Sequence, residues 1–233
     1  MINPTNQAGT YDSLPRTNHY LNQQDEEVKV LMEFRLVYEG SLHANGDNRE
    51  KHAIRKHFHR QLSELWKQQP QLKANRELPL REIIPQLQPP KFDPDKPWIE
   101  HLANEYKRNG FRFAPIVREE NAFTCGIDIL FLRRDNMGSI ITHGGDIDNR
   151  LKSLFDAFRM PMNATELAGA TPDKDEDPFF CLLEDDKLIT SVSVTTDRFL
   201  TPMASLDQEH HVHIVAHITV ADPQALFMRR YVI

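Results

Sequence analysis

The sequence predicts an α/β (α+β) domain in which helices flank a mixed β-sheet. Two stretches with alternating apolar residues, Val28 to Tyr38 and Phe123 to Phe131, predict strands. Two others, Arg49 to Gln68 and Asp146 to Phe158, carry apolar residues three and four positions apart and predict amphipathic helices. Because strands and helices follow each other along the chain, we expect them to pack in layers around one core.

The remaining segments are expected to complete a single domain. Residues 1–27 are polar and lack any period, which predicts a disordered tail before a domain spanning 28–233. Seven of the 15 prolines lie between Pro70 and Pro97, so we interpret residues 69–98 as a surface insertion or linker without a long regular element. The other predicted elements are a short helix at 99–108, an acidic loop at 161–178, and strands at 188–196 and 211–220.

Composition narrows the class of protein. The chain has 233 residues, 39% of them hydrophobic and 27% charged, as in an ordinary globular protein. No apolar run reaches the length of a membrane span or a signal peptide, so we expect no membrane partner and a cytoplasmic location. Cys125 and Cys181 stand in apolar runs and are expected to be buried thiols.

Charge is distributed unevenly along the chain. The formal net charge of −6 argues against a protein that coats nucleic acid through overall positive charge. The segment 47–67 nevertheless has six Lys or Arg against three Asp or Glu, whereas 166–187 has eight acids against two lysines. We expect the basic side chains of the first helix to face outward. A solvated helix face and a DNA phosphate contact are both open for Arg49, Lys51, Arg55 and Lys56.

The helix that begins at Asp146 places carboxylates beside its apolar face. On a helical wheel the apolar arc contains Ile147, Leu151, Leu154, Phe155 and Phe158. A polar stripe borders that arc and contains Asp148, Asn149, Lys152 and Asp156. Helix capping by Asp146 and an ion pair between Asp148 and Lys152 would also explain these residues.

A second acidic group changes this interpretation. Glu184, Asp185 and Asp186 follow the apolar run 179–183 and precede a predicted strand. Adjacent carboxylates near a core repel one another unless cations are present. Oxygen ligands select a hard ion, so the sequence predicts Mg²⁺, with Mn²⁺ possible, and hydrolysis of a phosphodiester bond. Lys152 is then placed to contact the scissile phosphate.

A family resemblance leads to the same chemistry. It rests on the segments from Gly145 to Ala157 and from Asp185 to Ile189. In these segments the chain resembles the RusA-type Holliday-junction resolvases, whose signature is an Asp-x-Asp-Asn-x-x-Lys-x-x-x-Asp-Ala helix followed by an Asp-Asp pair. Their initial strand, loop and helix also resemble the predicted order from Val28 to Gln68.

The resemblance implies a RusA-like fold and a homodimeric, magnesium-dependent endonuclease that acts on branched DNA in recombination or repair. It assigns metal binding to Asp146, Asp148 and Asp186, with Asp185 beside them, and an important role to Lys152. This chain is longer and more acidic than members of that family. A metal nuclease for another structured DNA or RNA, and an inactive interaction module of the same fold, therefore remain alternatives.

Three histidines of the last predicted strand form a weaker candidate for a metal site. His211, His213 and His217 share one face of that strand. A half-exposed strand with polar residues on its outer face explains the same spacing, and we favour that interpretation.

Overall fold

Five helices and two mixed sheets make up the described part of the chain. In this computed structural model it comprises residues 29–84, 92–133, 146–200 and 210–223, with only the backbone described for Asp146. The predicted disordered tail, residues 1–27, lies outside it. The observed elements confirm the predicted α+β class.

Among the described residues, seven strands form two sheets. They are β1 (Lys29–Ser41), β2 (Lys107–Arg108), β3 (Phe111–Val117), β4 (Thr124–Arg133), β5 (Phe179–Leu183), β6 (Ile189–Arg198) and β7 (His211–Asp222). The larger sheet has the order β1-β7-β4-β6, with β7 antiparallel to both neighbours and β4 parallel to β6. The strands predicted from alternation are all in this sheet, because one of its faces packs on the core while the other stays more exposed.

The smaller sheet was not predicted. It has the order β2-β3-β5, and β3 and β5 run parallel. Every residue of β5, and six of the seven of β3, are buried. A strand buried on both faces has no alternation to reveal it, so 179–183 looked only like an apolar run.

The helices are α1 (Asn48–Gln68), α2 (Pro70–Glu77), α3 (Leu80–Ile83), α4 (Trp98–Glu105) and α5 (Asp146–Phe158). The Asp47 carboxylate caps α1 by accepting the Glu50 amide hydrogen at 2.8 Å. The described residues of the proline-rich segment, 69–84 and 92–98, form only short elements, and α2 is held on the domain by the buried Leu72. Among the described helices, none is long and apolar enough to cross a membrane.

The prediction that the basic residues of α1 face outward is wrong for Arg55. Its side chain is 1% exposed, and His52 and His59 are also buried. Arg55 donates to the carbonyl oxygens of Asp156 and Arg159, at 2.7 and 3.0 Å. The last carbonyls of a helix lack partners within the helix, so Arg55 completes the hydrogen bonding at the end of α5.

The helical wheel located the buried face of α5 only in part. Leu154 and Phe158 are buried, as predicted, and Asp148 and Lys152 are exposed. Three polar residues of α5, Arg150, Ser153 and Asp156, are buried as well. They are buried because α1 packs on that side of α5.

Candidate functional site

The first half of α5 presents two of the predicted site residues to solvent. Asp148 and Lys152 are exposed and lie one helical turn apart on the same stripe. Asp146 is the first residue of α5, but its side chain is outside the described structure. The geometry of the predicted aspartate pair at the helix start is therefore described for Asp148 alone.

Glu184, the first acid of the acidic run, serves a structural role. Its carboxylate accepts hydrogen bonds from the Tyr106 hydroxyl and the Glu119 backbone amide, each at 3.0 Å. Its own amide donates to the Val117 carbonyl at 2.9 Å. These contacts fasten the start of the acidic run to the end of β3 and engage one oxygen, Oε2, of the Glu184 carboxylate.

The next two acids form a tight turn, which we call the acidic turn (Asp185–Leu188). Asp185 accepts the Lys187 amide hydrogen at 3.0 Å and caps the short 3₁₀ helix that begins at Asp186. That hydrogen bond lowers the pKa of Asp185. Partial shielding from water and the neighbouring Asp185 carboxyl raise the pKa of Asp186. The two carboxyls thus resist being charged together, as expected for a like-charge pair in contact.

The fold brings the acidic turn against α5. The Met160 amide donates to the Leu183 carbonyl at 2.9 Å, and Arg159 forms a parallel bridge with Leu183. The 3₁₀ helix of the turn also packs on α5. The turn therefore packs on the same helix that carries Asp148 and Lys152, at its carboxyl end.

Along α5, the acidic turn lies towards the carboxyl end. The positive charge of Arg159 favours ionisation of Asp185 and Asp186, and the negative charge of Asp156 opposes that of Asp186, so these two residues at the α5 end are electrostatic neighbours of the turn. Asp148 precedes Asp156 by eight residues, about 12 Å along a helix axis. Among the described side chains, no three His, Cys, Asp or Glu are grouped closely enough to hold a metal ion.

Asp156, on the predicted polar stripe, is engaged in ion pairs. It is 9% exposed and accepts hydrogen bonds from Lys51 and Arg159, both at 2.8 Å. Burial opposes its ionisation, but Lys51 and Arg159 outweigh burial and lower its pKa. Arg159 also pairs with Glu166 at 2.9 Å. Asp156 and Arg159 therefore join α1, α5 and the acidic loop, a role that sequence reasoning missed.

The basic residues predicted to touch DNA differ in their surroundings. Lys56 pairs with Asp173 and Glu176, each at 2.9 Å, while Lys51 is held by Asp156 and Arg55 is buried. Glu176 is itself only 5% exposed. The acidic loop thus neutralises one side of α1. Arg49 is exposed, and none of the described residues pairs with it.

The three histidines of β7 lie on a half-exposed strand face, as we favoured. His211 and His213 flank the Glu39 carboxylate at 3.5 and 3.1 Å, and His217 is 4.0 Å from Glu33. Glu39 is the direct cross-strand neighbour of His213, whereas His211 and His217 reach Glu39 and Glu33 diagonally.

Comparison with known proteins assigns no family to this arrangement. No family model, no curated protein and no solved structure matches the chain. The fold and site define an α+β domain in which an acidic turn packs on α5, the helix that carries the exposed residues Asp148 and Lys152. Membership of the RusA-type resolvases stays a prediction from the two sequence segments.

Proposed function

We propose that this protein is a magnesium-dependent endonuclease of the RusA type, which hydrolyses phosphodiester bonds in branched DNA. The observation that carries the proposal is the placement of the acidic turn against α5, through the contacts of Arg159 and Met160 with Leu183. Two segments more than 25 residues apart, both named by the sequence motif, are thereby neighbours. The proposal includes a cytoplasmic location.

The donor atoms of the proposed site are carboxylate oxygens, the type that a hard divalent cation prefers. Asp146, Asp148 and Asp186 would hold the ion, with Asp185 beside them, and carboxylate oxygen is the ligand that Mg²⁺ and Mn²⁺ prefer. The Asp185 and Asp186 carboxyls repel each other when both are charged, and a cation would relieve that repulsion. A bound ion supplies Lewis acidity, lowering the pKa of water and neutralising a phosphoryl oxygen.

The chain's own groups account for the other requirements of hydrolysis. Lys152 is exposed on the same stripe as Asp148, where its ammonium group would bind a non-bridging phosphate oxygen and stabilise the charge that develops there. Glu184, fixed by Tyr106 and the Glu119 amide, keeps the acidic turn in place. The backbone contacts of Arg159 and Met160 with Leu183 hold the end of α5 against the turn.

We further propose that the protein acts as a homodimer. A four-way junction presents two equivalent strands, and a two-fold symmetric dimer places one site on each. This part of the proposal rests on the family resemblance, and the molar mass in solution tests it independently of activity.

A cleavage experiment separates this function from its rivals. Purified protein is incubated with a synthetic four-way junction and with linear duplex of the same sequence, each with and without Mg²⁺. Asp148→Asn is the test variant, and Asp128→Asn, an exposed acid on β4, is the matched control. We expect junction cleavage that needs Mg²⁺, survives Asp128→Asn and disappears in Asp148→Asn.

Other outcomes point elsewhere. Equal cutting of junction and duplex would indicate a metal nuclease with another structured substrate. If neither Mg²⁺ nor Mn²⁺ supports any cutting, the protein is not a nuclease, and the alternative of an inactive interaction module with the same fold takes its place.

A further inference from the structure

The larger sheet has two edges, and β6 forms one of them. Within the described part of the chain β6 pairs with β4 alone, so the backbone groups along its other side have no strand partner there. Most residues of β6 are exposed, and the eight from Ile189 to Thr196 include no charge and no proline. An exposed, uncharged edge is a template on which another strand can pair.

The opposite edge, β1, is protected against such pairing. Four charged residues lie along β1, and a bulge interrupts it between Val30 and Met32. The Gln61 side chain of α1 accepts the Val37 amide hydrogen at 2.9 Å and donates to the Val37 carbonyl at 2.6 Å. Charges, bulges and covering side chains are the usual protection of an edge strand. Among the described residues, β6 has none of these devices over Ile189 to Thr196, which favours a paired edge in the working protein.

The core face of the larger sheet is also incompletely covered at β6. Val192 is the cross-strand partner of Ile127, so the two side chains lie on the same face of the sheet. Ile127 is 2% exposed, whereas Val192 is 45% exposed. A further strand beside β6 would shield Val192 from water, and the apolar area removed from water would stabilise the pairing.

The sequence of β6 matches itself in antiparallel pairing. Two identical strands that pair about a two-fold axis form an isologous contact, in which the same surface of each copy meets the other. With Ser193 at the axis, the opposing pairs are Val192 with Val194, Ser191 with Thr195, and Thr190 with Thr196. Each pair joins side chains of the same kind, and cross-strand pairs of β-branched or hydroxyl side chains stabilise antiparallel sheets.

We propose that the β6 edges of two copies of this chain pair antiparallel about Ser193 and join two four-stranded sheets into one of eight strands. The inference rests on the homodimer of the proposed function and names the surface on which it forms. The two-fold axis is perpendicular to the sheet, so both core faces, and both copies of α5, lie on the same side. The acidic turns directly precede β6, and the first residues of the two β6 strands lie about 27 Å apart along the strand direction. One dimer thus presents two equivalent sites on one side.

Charge exchange at Ser193 tests the interface, with sedimentation equilibrium as the measurement. Ser193→Lys places two ammonium groups opposite each other, and we expect it to raise the Kd of the dimer more than about tenfold. Ser193→Glu should have the same effect. An equimolar mixture of the two variants should regain the wild-type mass, because opposite charges then meet, and this recovery shows that both variants are folded. Val30→Lys, at a 50% exposed position of β1, is the control and should stay dimeric.

A crosslinking experiment tests the register. Under mild oxidation, Ser193→Cys should form a disulfide between two chains, because the two copies of this residue face each other at the axis. Ser191→Cys should remain reduced, since its two copies lie about 14 Å apart. Equal or stronger crosslinking of Ser191→Cys would contradict pairing about Ser193.

The outcomes separate the interface from the nuclease. If the wild-type chain is a monomer, or if Ser193→Lys stays dimeric like Val30→Lys, the β6 interface is wrong. Junction cleavage that depends on Asp148 would in that case keep the nuclease and reject the interface alone. If the mass follows the charge at Ser193 as expected but no cleavage occurs, the interface stands and the nuclease falls.

Discussion

The guanidinium group of Arg55 on α1 donates through Nη2 to the carbonyl oxygen of Asp156 on α5, at 2.7 Å. Through Nε it also donates to the Arg159 carbonyl at 3.0 Å. Arg55 is 1% exposed, so water cannot replace these bonds if the side chain is lost. One residue thereby links the basic helix to the helix that carries the candidate site.

We expect Arg55→Met to lower the free energy of unfolding by about 3 kcal/mol, because it leaves buried carbonyl groups without donors. Urea unfolding followed by circular dichroism measures the change, with Arg60→Met as an exposed control on the same helix. Equal stability of the two variants would show that the Arg55 contacts add nothing to the fold.

Stability should also depend on pH through His52. This residue packs between Phe111 and Phe179, and burial together with the charge of Arg55 lowers its pKa from 6.5 to about 4. Between these values the unfolded chain binds more protons than the folded one. The stabilisation by neutral His52 is therefore complete above about pH 6.5 and is lost as the pH falls towards 4.

We expect His52 to lower the free energy of unfolding at pH 5 by about 2 kcal/mol relative to its value at pH 7. Urea unfolding at both pH values, in the wild-type chain and in His52→Phe, isolates it. The replacement keeps an aromatic ring beside Phe111 and Phe179 and carries no titratable group. We expect its stability to fall less on acidification, and an identical fall in both proteins would contradict the buried neutral histidine.

The strands and the helices that the sequence predicted each have one buried face and one more exposed face. β1, β4 and β7 have a buried and a more exposed face, as α1 and α5 have, and this asymmetry leaves a periodic pattern. β3 and β5 are buried on both faces and leave none. The class of fold could therefore be predicted, whereas the second sheet could not.

The candidate site also has one part that the sequence predicted and one part that it did not. Asp148 and Lys152 were predicted because helical spacing places them on one stripe. Arg55 and Asp156 are 101 residues apart, and a contact of that kind leaves no local pattern in a single sequence. The ion pairs of Lys56 with the acidic loop could not be predicted from the sequence either. For that reason a DNA phosphate contact by α1 stayed open in the sequence analysis.

Lys152 provides a kinetic prediction. If its ammonium group stabilises charge in the transition state, Lys152→Gln should lower kcat about 100- to 1000-fold and leave KM within about threefold. Steady-state cleavage of the junction measures both constants, with Lys67→Gln, at the exposed end of α1, as the control. A raised KM with unchanged kcat would instead assign Lys152 to ground-state binding.

The central claim is that α5 and the acidic turn share a divalent cation. Titration with Mn²⁺, followed by the electron paramagnetic resonance signal of the free ion, tests it without any assumption about substrate. Asp148→Asn, Asp186→Asn and the control Asp128→Asn are compared after circular dichroism shows that each is folded. We predict that the first two weaken Mn²⁺ binding more than about tenfold and that the control binds like the wild-type chain. Wild-type affinity in Asp148→Asn, or in Asp186→Asn, would contradict a shared site.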